Sequence, residues 1–167
     1  MAVVGSSTGG RVALALVDEV DARLQGLLLA NARVTPGDAT TLSLCHELAA
    51  EVATAGVDVV ADEFLPKLLG TTTQRTRAEL ITGLRAMIRE NTPNGIAGVL
   101  RTLVAREQTS AALHRIRCPV VCVGGEEDVL TPSSEIRSTA EQIPGAPYGD
   151  HAGGGSPPRP GSTGGFR

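Results

Sequence analysis

The chain has 167 residues, 41% of them hydrophobic and 20% charged, a balance that supports one ordinary domain with a buried core and excludes general disorder. Fifteen Lys and Arg against eighteen Asp and Glu leave a net charge of −3, and no basic block interrupts the text, which excludes nucleic acid and anionic membrane as main partners. Phe64, Tyr148 and Phe166 are the only aromatic residues, so the expected core is almost wholly aliphatic.

Met1 to Val4 is a short apolar run ending at Gly5, and after Gly9-Gly10 the segment from Arg11 to Val20 has helical composition. This predicts a strand, a tight turn and a helix. Gly26 to Ala30 is a continuous apolar run too short for an independent helix, and is expected as a strand buried on both faces. Strand, helix, strand points to a parallel βαβ unit. From Pro36 to about Ala112 the pattern changes to amphipathic helices, starting at Gly37-Asp38. Leu42, Cys45, Leu48, Ala49 and Val52 recur at helical spacing before a stop at Gly56. Leu80, Ile81, Leu84, Met87 and Ile88 repeat the pattern as far as Asn91. Thr92-Pro93 then reads as an N-cap with Pro at the first helical position, ahead of Ile96, Val99, Leu100, Leu103 and Val104. Pro119 to Val123 returns to buried-strand text, followed by the acidic loop Glu126-Glu127-Asp128. Thr131-Pro132 opens a helix expected to reach about Gln142. From His151 onward nine of seventeen residues are Gly or Pro, which cannot build a core and predicts a disordered tail.

Gly5-Ser6-Ser7-Thr8-Gly9 fits G-x-S-x-G. A nucleophile on a strand-to-helix turn needs small neighbours so that strand and helix approach closely, and Ser7 is the exposed hydroxyl of such a turn. The N–H of Thr8, at the partially positive start of the helix, is placed to donate to a developing oxyanion. A capped turn and a phosphate- or anion-binding helix start are the other readings of the same residues. A serine nucleophile needs a base, and the base an orienting carboxylate. Asp128, just past a buried strand, is the candidate for that carboxylate, against the reading of a merely solvated acidic loop. Three histidines compete for the base. His46 lies inside an amphipathic helix, His114 precedes a strand, and His151 alone follows the acid in a plausible position, at the head of the Gly/Pro tail. The glycine-rich turn has no Lys for a phosphate loop and lacks dinucleotide spacing, and no metal-ligand cluster is present, so neither a metal nor a cofactor is expected. Cys45, Cys118 and Cys122 are odd in number without zinc-like spacing, and are expected as buried free thiols in a reducing compartment. No apolar stretch approaches the roughly 20 residues of a membrane span, and the N-terminus lacks a signal-peptide layout. A cytoplasmic location is the expectation.

In their order along the chain these residues resemble the α/β-hydrolase superfamily, in its enol-lactonase, haloperoxidase-like and carboxylesterase-like branch. Val3 to Gly10 looks like the nucleophile strand and elbow, and Leu24 to Asn31 like the next strand. Phe64 to Gly70 looks like a cap segment of that branch, Ile116 to Pro132 like the acid-bearing strand and loop, and Ile143 to Ala146 like the segment before the final core strand. The resemblance implies Ser7 as nucleophile, Asp128 as acid and Thr8 in the oxyanion hole. It implies a small carboxylic ester or lactone as substrate and an acyl-serine intermediate, without a cofactor. Family members begin well before the elbow, with a His-Gly-type loop that supplies the second oxyanion donor, and end on a Gly-x-Gly-His-like turn that supplies the base. This chain starts at the elbow strand and has Ser156 where that histidine falls. A one-base shift of frame from Pro147 permits codons for a Gly-His turn within 152–158, which would explain the tail, the missing base and the missing last strand together and make His151 an accident.

The expected architecture is therefore α/β: a partial α/β-hydrolase fold of parallel strands with flanking helices and a helical cap insertion. Core segments are expected at 1–35 and 113–146, the cap at 36–112 and an off-frame disordered tail at 147–167. Three strands would leave a sheet edge and a face uncovered. The implied function is that of a serine hydrolase of small esters or lactones, the chain itself being weakly active or inactive. The alternative is a non-catalytic helical interaction module that retains a hydrolase-like turn.

Overall fold

A computed structural model describes residues 1–20, 23–35, 37–104 and 113–151. The chain divides into two compact units, one formed by 1–34 with 109–167 and the other by 35–108.

The first unit is a parallel sheet with helices. Strand β1 (Ala2–Ser6) leads directly into α1 (Thr8–Val20), and β2 (Gly26–Ala30) follows. After the second unit come β3 (Val120–Gly125), a helix at Ser133–Glu141 and β4 (Tyr148–His151). All pairings are parallel, and the strands lie side by side in chain order. Register sets Val3, Leu27 and Val120 in one row and Gly5, Leu29, Cys122 and Tyr148 in the next. That face carries the core. Leu27, Leu29, Val120 and Cys122 pack with Ala13, Leu14 and Val17 of α1 and with Ile136 and Ala140 of the 133–141 helix.

The opposite face is different. Val4, Leu28 and Val121 share a row there, with Leu28 and Val121 half-buried and Val4 72% exposed. β2 alternates buried with half-buried residues, so the expectation of burial on both faces holds for one face only. A continuous apolar run requires two covered faces only if helices lie on both sides, and the helices packed in this core share one side.

The tail expected from 147 is corrected over its first residues, since Tyr148–His151 is a fourth strand. Backbone pairing needs no particular side chain, so Gly149 and Asp150 can join the ladder. Two contacts hold the strand: the N–H of Cys122 donates to the carbonyl of Pro147 at 3.1 Å, and the Arg137 guanidinium lies 4.7 Å from the centre of the Tyr148 ring. Residues 152–167, including Ser156, lie outside the described part of the chain, as do 105–112.

The second unit is helical: α2 (Ala39–Ala55), α3 (Asp58–Leu68), α4 (Thr71–Thr76), α5 (Ala78–Arg89) and α6 (Pro93–Val104). The 133–141 helix of the first unit is accordingly α7. Asp38 caps α2, its carboxylate accepting the N–H of Thr41 at 2.7 Å. Gly56 ends the same helix at φ +85°, where its N–H reaches the carbonyl of Val52. Thr92 caps α6 by accepting the N–H of Gly95 at 3.1 Å. The core joins Cys45, Leu48, Ala49 and Val52 of α2 to Ala97 and Leu100 of α6 and Val60 of α3. Pro66 stands in the last turn of α3, and the amide of Gln74 satisfies the carbonyls of Pro66 and Leu69 at 2.9 and 2.6 Å. Arg89 donates from Nε and Nη2 to the two carboxylate oxygens of Asp58, and Arg85 meets Asp62 at 2.7 Å, tying α5 to α3. Arg89 and Arg85 hold the Asp58 carboxyl below its usual range, the hydrogen bond to Arg89 above all.

The open apolar face is expected to make the chain self-associate or depend on a partner, with Val4→Lys reducing the effect. Sedimentation velocity over a concentration series checks this, and a concentration-independent monomer with a sharp melt would contradict it. None of the three cysteines is in a disulfide. Cys45 and Cys122 are buried and Cys118 is half-buried, so the expected burial holds for two. Burial pushes the Cys122 thiol up from 9.0 to about 11. Over that interval the folded chain retains a proton that the unfolded chain has lost, so stability falls as pH rises from about 9 to 11. Denaturant melts across this interval read the decline, and iodoacetamide below about pH 9 should leave Cys122 unmodified in the native chain.

Candidate active site

Ser7 lies between the end of β1 and the first residue of α1, at φ +49°. A non-glycine residue in the left-handed region marks a strained turn. Two backbone bonds hold it, from the N–H of Ser7 to the carbonyl of Ala30 at 2.9 Å and from the N–H of Gly10 to the carbonyl of Ser7 at 3.0 Å. The serine itself is exposed. A Cβ at position 5 would lie 2.5 Å from the Cα of Gly10, and one at position 10 would lie 2.3 Å from the Cβ of Ala32. Strand, helix and the chain after β2 therefore meet at distances only hydrogen allows. A Cβ at Gly9 would meet nothing within 4 Å, so the second glycine of the motif is not the one that sterics require.

Thr8 is the first residue of α1. Its N–H belongs to the first turn, whose donors have no acceptor within the helix and carry the positive end of the helix dipole. Arg11 follows in the same turn; burial, and then the Arg33 charge, lower its pKa. Arg33 in turn is 3.3 Å from Glu135 of α7.

Asp128 stands on the turn after β3, its N–H donating to the carbonyl of Gly125 at 3.2 Å. One carboxylate oxygen, Oδ1, accepts the N–H groups of Leu130 and Thr131, each at 2.8 Å. The other, Oδ2, accepts from Nδ2 of Asn31. Asp128 is half-buried, whereas Glu126 of the same loop faces solvent. Asn31 follows β2 at φ +50°, and its N–H donates to the carbonyl of Val123 at 2.9 Å.

Parallel pairing puts Ser7 and Asp128 at the same edge of the sheet, past the ends of β1 and β3 with β2 between them. The histidines are distributed differently. His46 is exposed on α2 in the other unit, and His114 is exposed ahead of β3, toward the amino ends of the strands. His151 closes β4 with its Cα in register with Gly125, at the edge that bears Ser7 and Asp128. Asn31 stands in the sequence as the last residue of a strand run, and no motif marks it. A polar residue able to take positive φ directly after an apolar run was the available signal. Among the described residues no group of three His, Cys, Asp or Glu side chains is arranged to hold a metal ion, and no helix is long and apolar enough to cross a membrane. An open cavity of about 550 Å³ lies at the start of α2, lined by Ala39, Thr40, Ser43, Leu44 and Glu47; none of the candidate residues lines it.

The close approach at the elbow predicts that Gly5→Ala and Gly10→Ala each destabilise the chain by about 1–3 kcal/mol, whereas Gly9→Ala is tolerated. Thermal melts of the three variants provide the comparison.

No protein-family model matches the sequence, and no curated protein matches it. Solved structures do. An esterase from Thermogutta terrifontis is 28% identical with a TM-score of 0.83, over 91% of this chain and 56% of that one. An enol-lactonase from Burkholderia xenovorans LB400 is 22% identical with a TM-score of 0.77, over 89% and 55%. An α/β-hydrolase from a Medee basin deep-sea metagenome is 15% identical, again with a TM-score of 0.77, over 90% and 56%. The chain thus spans little more than half the length of the proteins it matches. With its parallel sheet, flanking helices and these structural relatives, the chain has the α/β-hydrolase fold over the part of it that it spans.

Proposed function

We propose that the chain carries the nucleophile and the acid of a serine hydrolase acting on a small carboxylic ester or lactone. The observation that carries this reading is Ser7, exposed and held at φ +49° at the head of α1. Its Oγ attacks the ester carbonyl carbon while a base takes its proton. The tetrahedral oxyanion forms beside the N–H of Thr8, where the helix start stabilises negative charge. Collapse expels the alcohol and leaves acyl-Ser7, which water then hydrolyses. Asp128 orients and stabilises the protonated base. The esterase and enol-lactonase among the structural relatives support the substrate class. The 35–108 unit, a run of helices inserted between β2 and β3, is read as the cap.

The chain by itself is proposed to be weakly active or inactive, since loss of the base from such a unit costs about a millionfold in kcat. Three cysteines with no disulfide among them accord with a reducing cytoplasm. One observation favours the second reading, a non-catalytic helical interaction module: no residue of α5 is buried, and Leu80 and Met87 are exposed on it.

A fluorophosphonate probe with mass-spectrometric site mapping tests the proposal. Slow labelling at Ser7 is expected, abolished in Ser7→Ala and slowed further in Asp128→Asn. His151→Gln tests the histidine at the same edge. Labelling that persists in Ser7→Ala, or that maps to another residue, overturns the nucleophile assignment and favours the interaction module.

A further inference from the structure

We propose that Asn31 is the positioning residue of Asp128, holding its carboxylate in one orientation across the strand boundary. The catalytic meaning of this role rests on the reading of Asp128 as the acid.

The two carboxylate oxygens are held from different places. Oδ1 is bound by the N–H groups of Leu130 and Thr131, which belong to the same loop and move with it. Oδ2 is bound by Asn31, which follows another strand. The amide therefore supplies an external reference that the loop's own donors cannot provide. The orientation of the amide is dictated by chemistry, because a carboxylate accepts and only the nitrogen end of Asn donates.

Asn31 is itself tied on both sides. Its N–H donates to the carbonyl of Val123, inside the strand that carries the acid loop, and the carbonyl of its neighbour Ala30 accepts the N–H of Ser7. One turn thus contacts the nucleophile's backbone and the acid's side chain. A neutral donor also suits the task, since it orients the carboxylate without cancelling the charge a base would use. A Lys or Arg at this point would form an ion pair with it. The residue type meets two demands together, a φ of +50° and a side-chain donor, and Asn is among the few residues that tolerate the first.

These demands can be separated by substitution. Asn31→Gly keeps the backbone conformation and removes the donor; Asn31→Asp keeps the shape and replaces the donor with an acceptor. Amide hydrogen exchange on the whole chain is the primary measurement. In both variants the amides of Leu130 and Thr131 are expected to exchange about tenfold faster or more, as a hydrogen bond to a charged group is lost. The amide of Leu27, bonded to Pro119, reports on general loosening and should not change. Unchanged exchange at Leu130 and Thr131 overturns the proposal, and so does equal acceleration at Leu27.

Fluorophosphonate inactivation supplies the second arm. The maximal labelling rate at Ser7 is expected to fall about tenfold in Asn31→Gly, with the probe's binding constant unchanged. If label on the unaltered chain maps to a residue other than Ser7, the hydrolase reading fails while the exchange result still decides the positioning role. If Ser7 labels and both variants label at the unaltered rate, the positioning role in catalysis is overturned.

Discussion

The parallel register of β1, β2 and β3 is the constraint on which the rest depends. It places the carbonyl of Ala30 opposite the N–H of Ser7 and the carbonyl of Val123 opposite the N–H of Asn31. Each strand thus hands the next a bond just beyond the regular ladder, where the chain is already turning. Both turning residues sit at positive φ. Parallel strands all end at the same edge, so residues far apart in the chain, such as Ser7 and Asp128, collect there.

That edge works only because the elbow is sterically tight. Gly5 and Gly10 let α1 leave the strand at a distance that a methyl group would forbid, and Ala32 closes on Gly10 from the next turn. The helix start is thereby brought directly behind the serine, and the dipole with it. The same compactness does not extend to the whole sheet. One face is packed by α1 and α7 around Leu29 and Cys122, and the other leaves Val4 in solvent. Binding chemistry and sheet burial are thus separable here: the edge is organised by backbone bonds and close approach, whereas the open face lacks apolar area to lie against.

Much of the local structure was legible because its causes are local. Asp38, Gly56 and the Thr92-Pro93 pair mark helix ends through hydrogen bonds and backbone preferences that span a few residues. The buried face of α2 follows from the spacing of Cys45, Leu48, Ala49 and Val52. On α5 the same kind of spacing marks the helix, yet Ile81, Leu84 and Ile88 are only half-buried and Leu80 and Met87 are exposed. Periodicity shows that a helix has an apolar side, and only a neighbour can cover it. The fourth strand was illegible for the converse reason. Tyr148–His151 has weak strand text, yet an unpaired edge of β3 and the Tyr148 ring against Arg137 gave its backbone somewhere to pair.

By itself the sequence determined the alternation of strand and helix, the helix caps, the elbow with Ser7 at its apex and the acidic loop with Asp128 on it. Each of these depends on residues within a turn or two of one another. Tertiary structure alone decided which glycines are sterically required, which face of the sheet is covered, and which residue meets the second oxygen of Asp128. Those outcomes depend on distances between segments: Gly10 against Ala32, β2 against α1, Asn31 against a carboxylate 97 residues away. A one-dimensional pattern records what each residue prefers, and a contact between segments exists only once the register of the sheet has set them side by side.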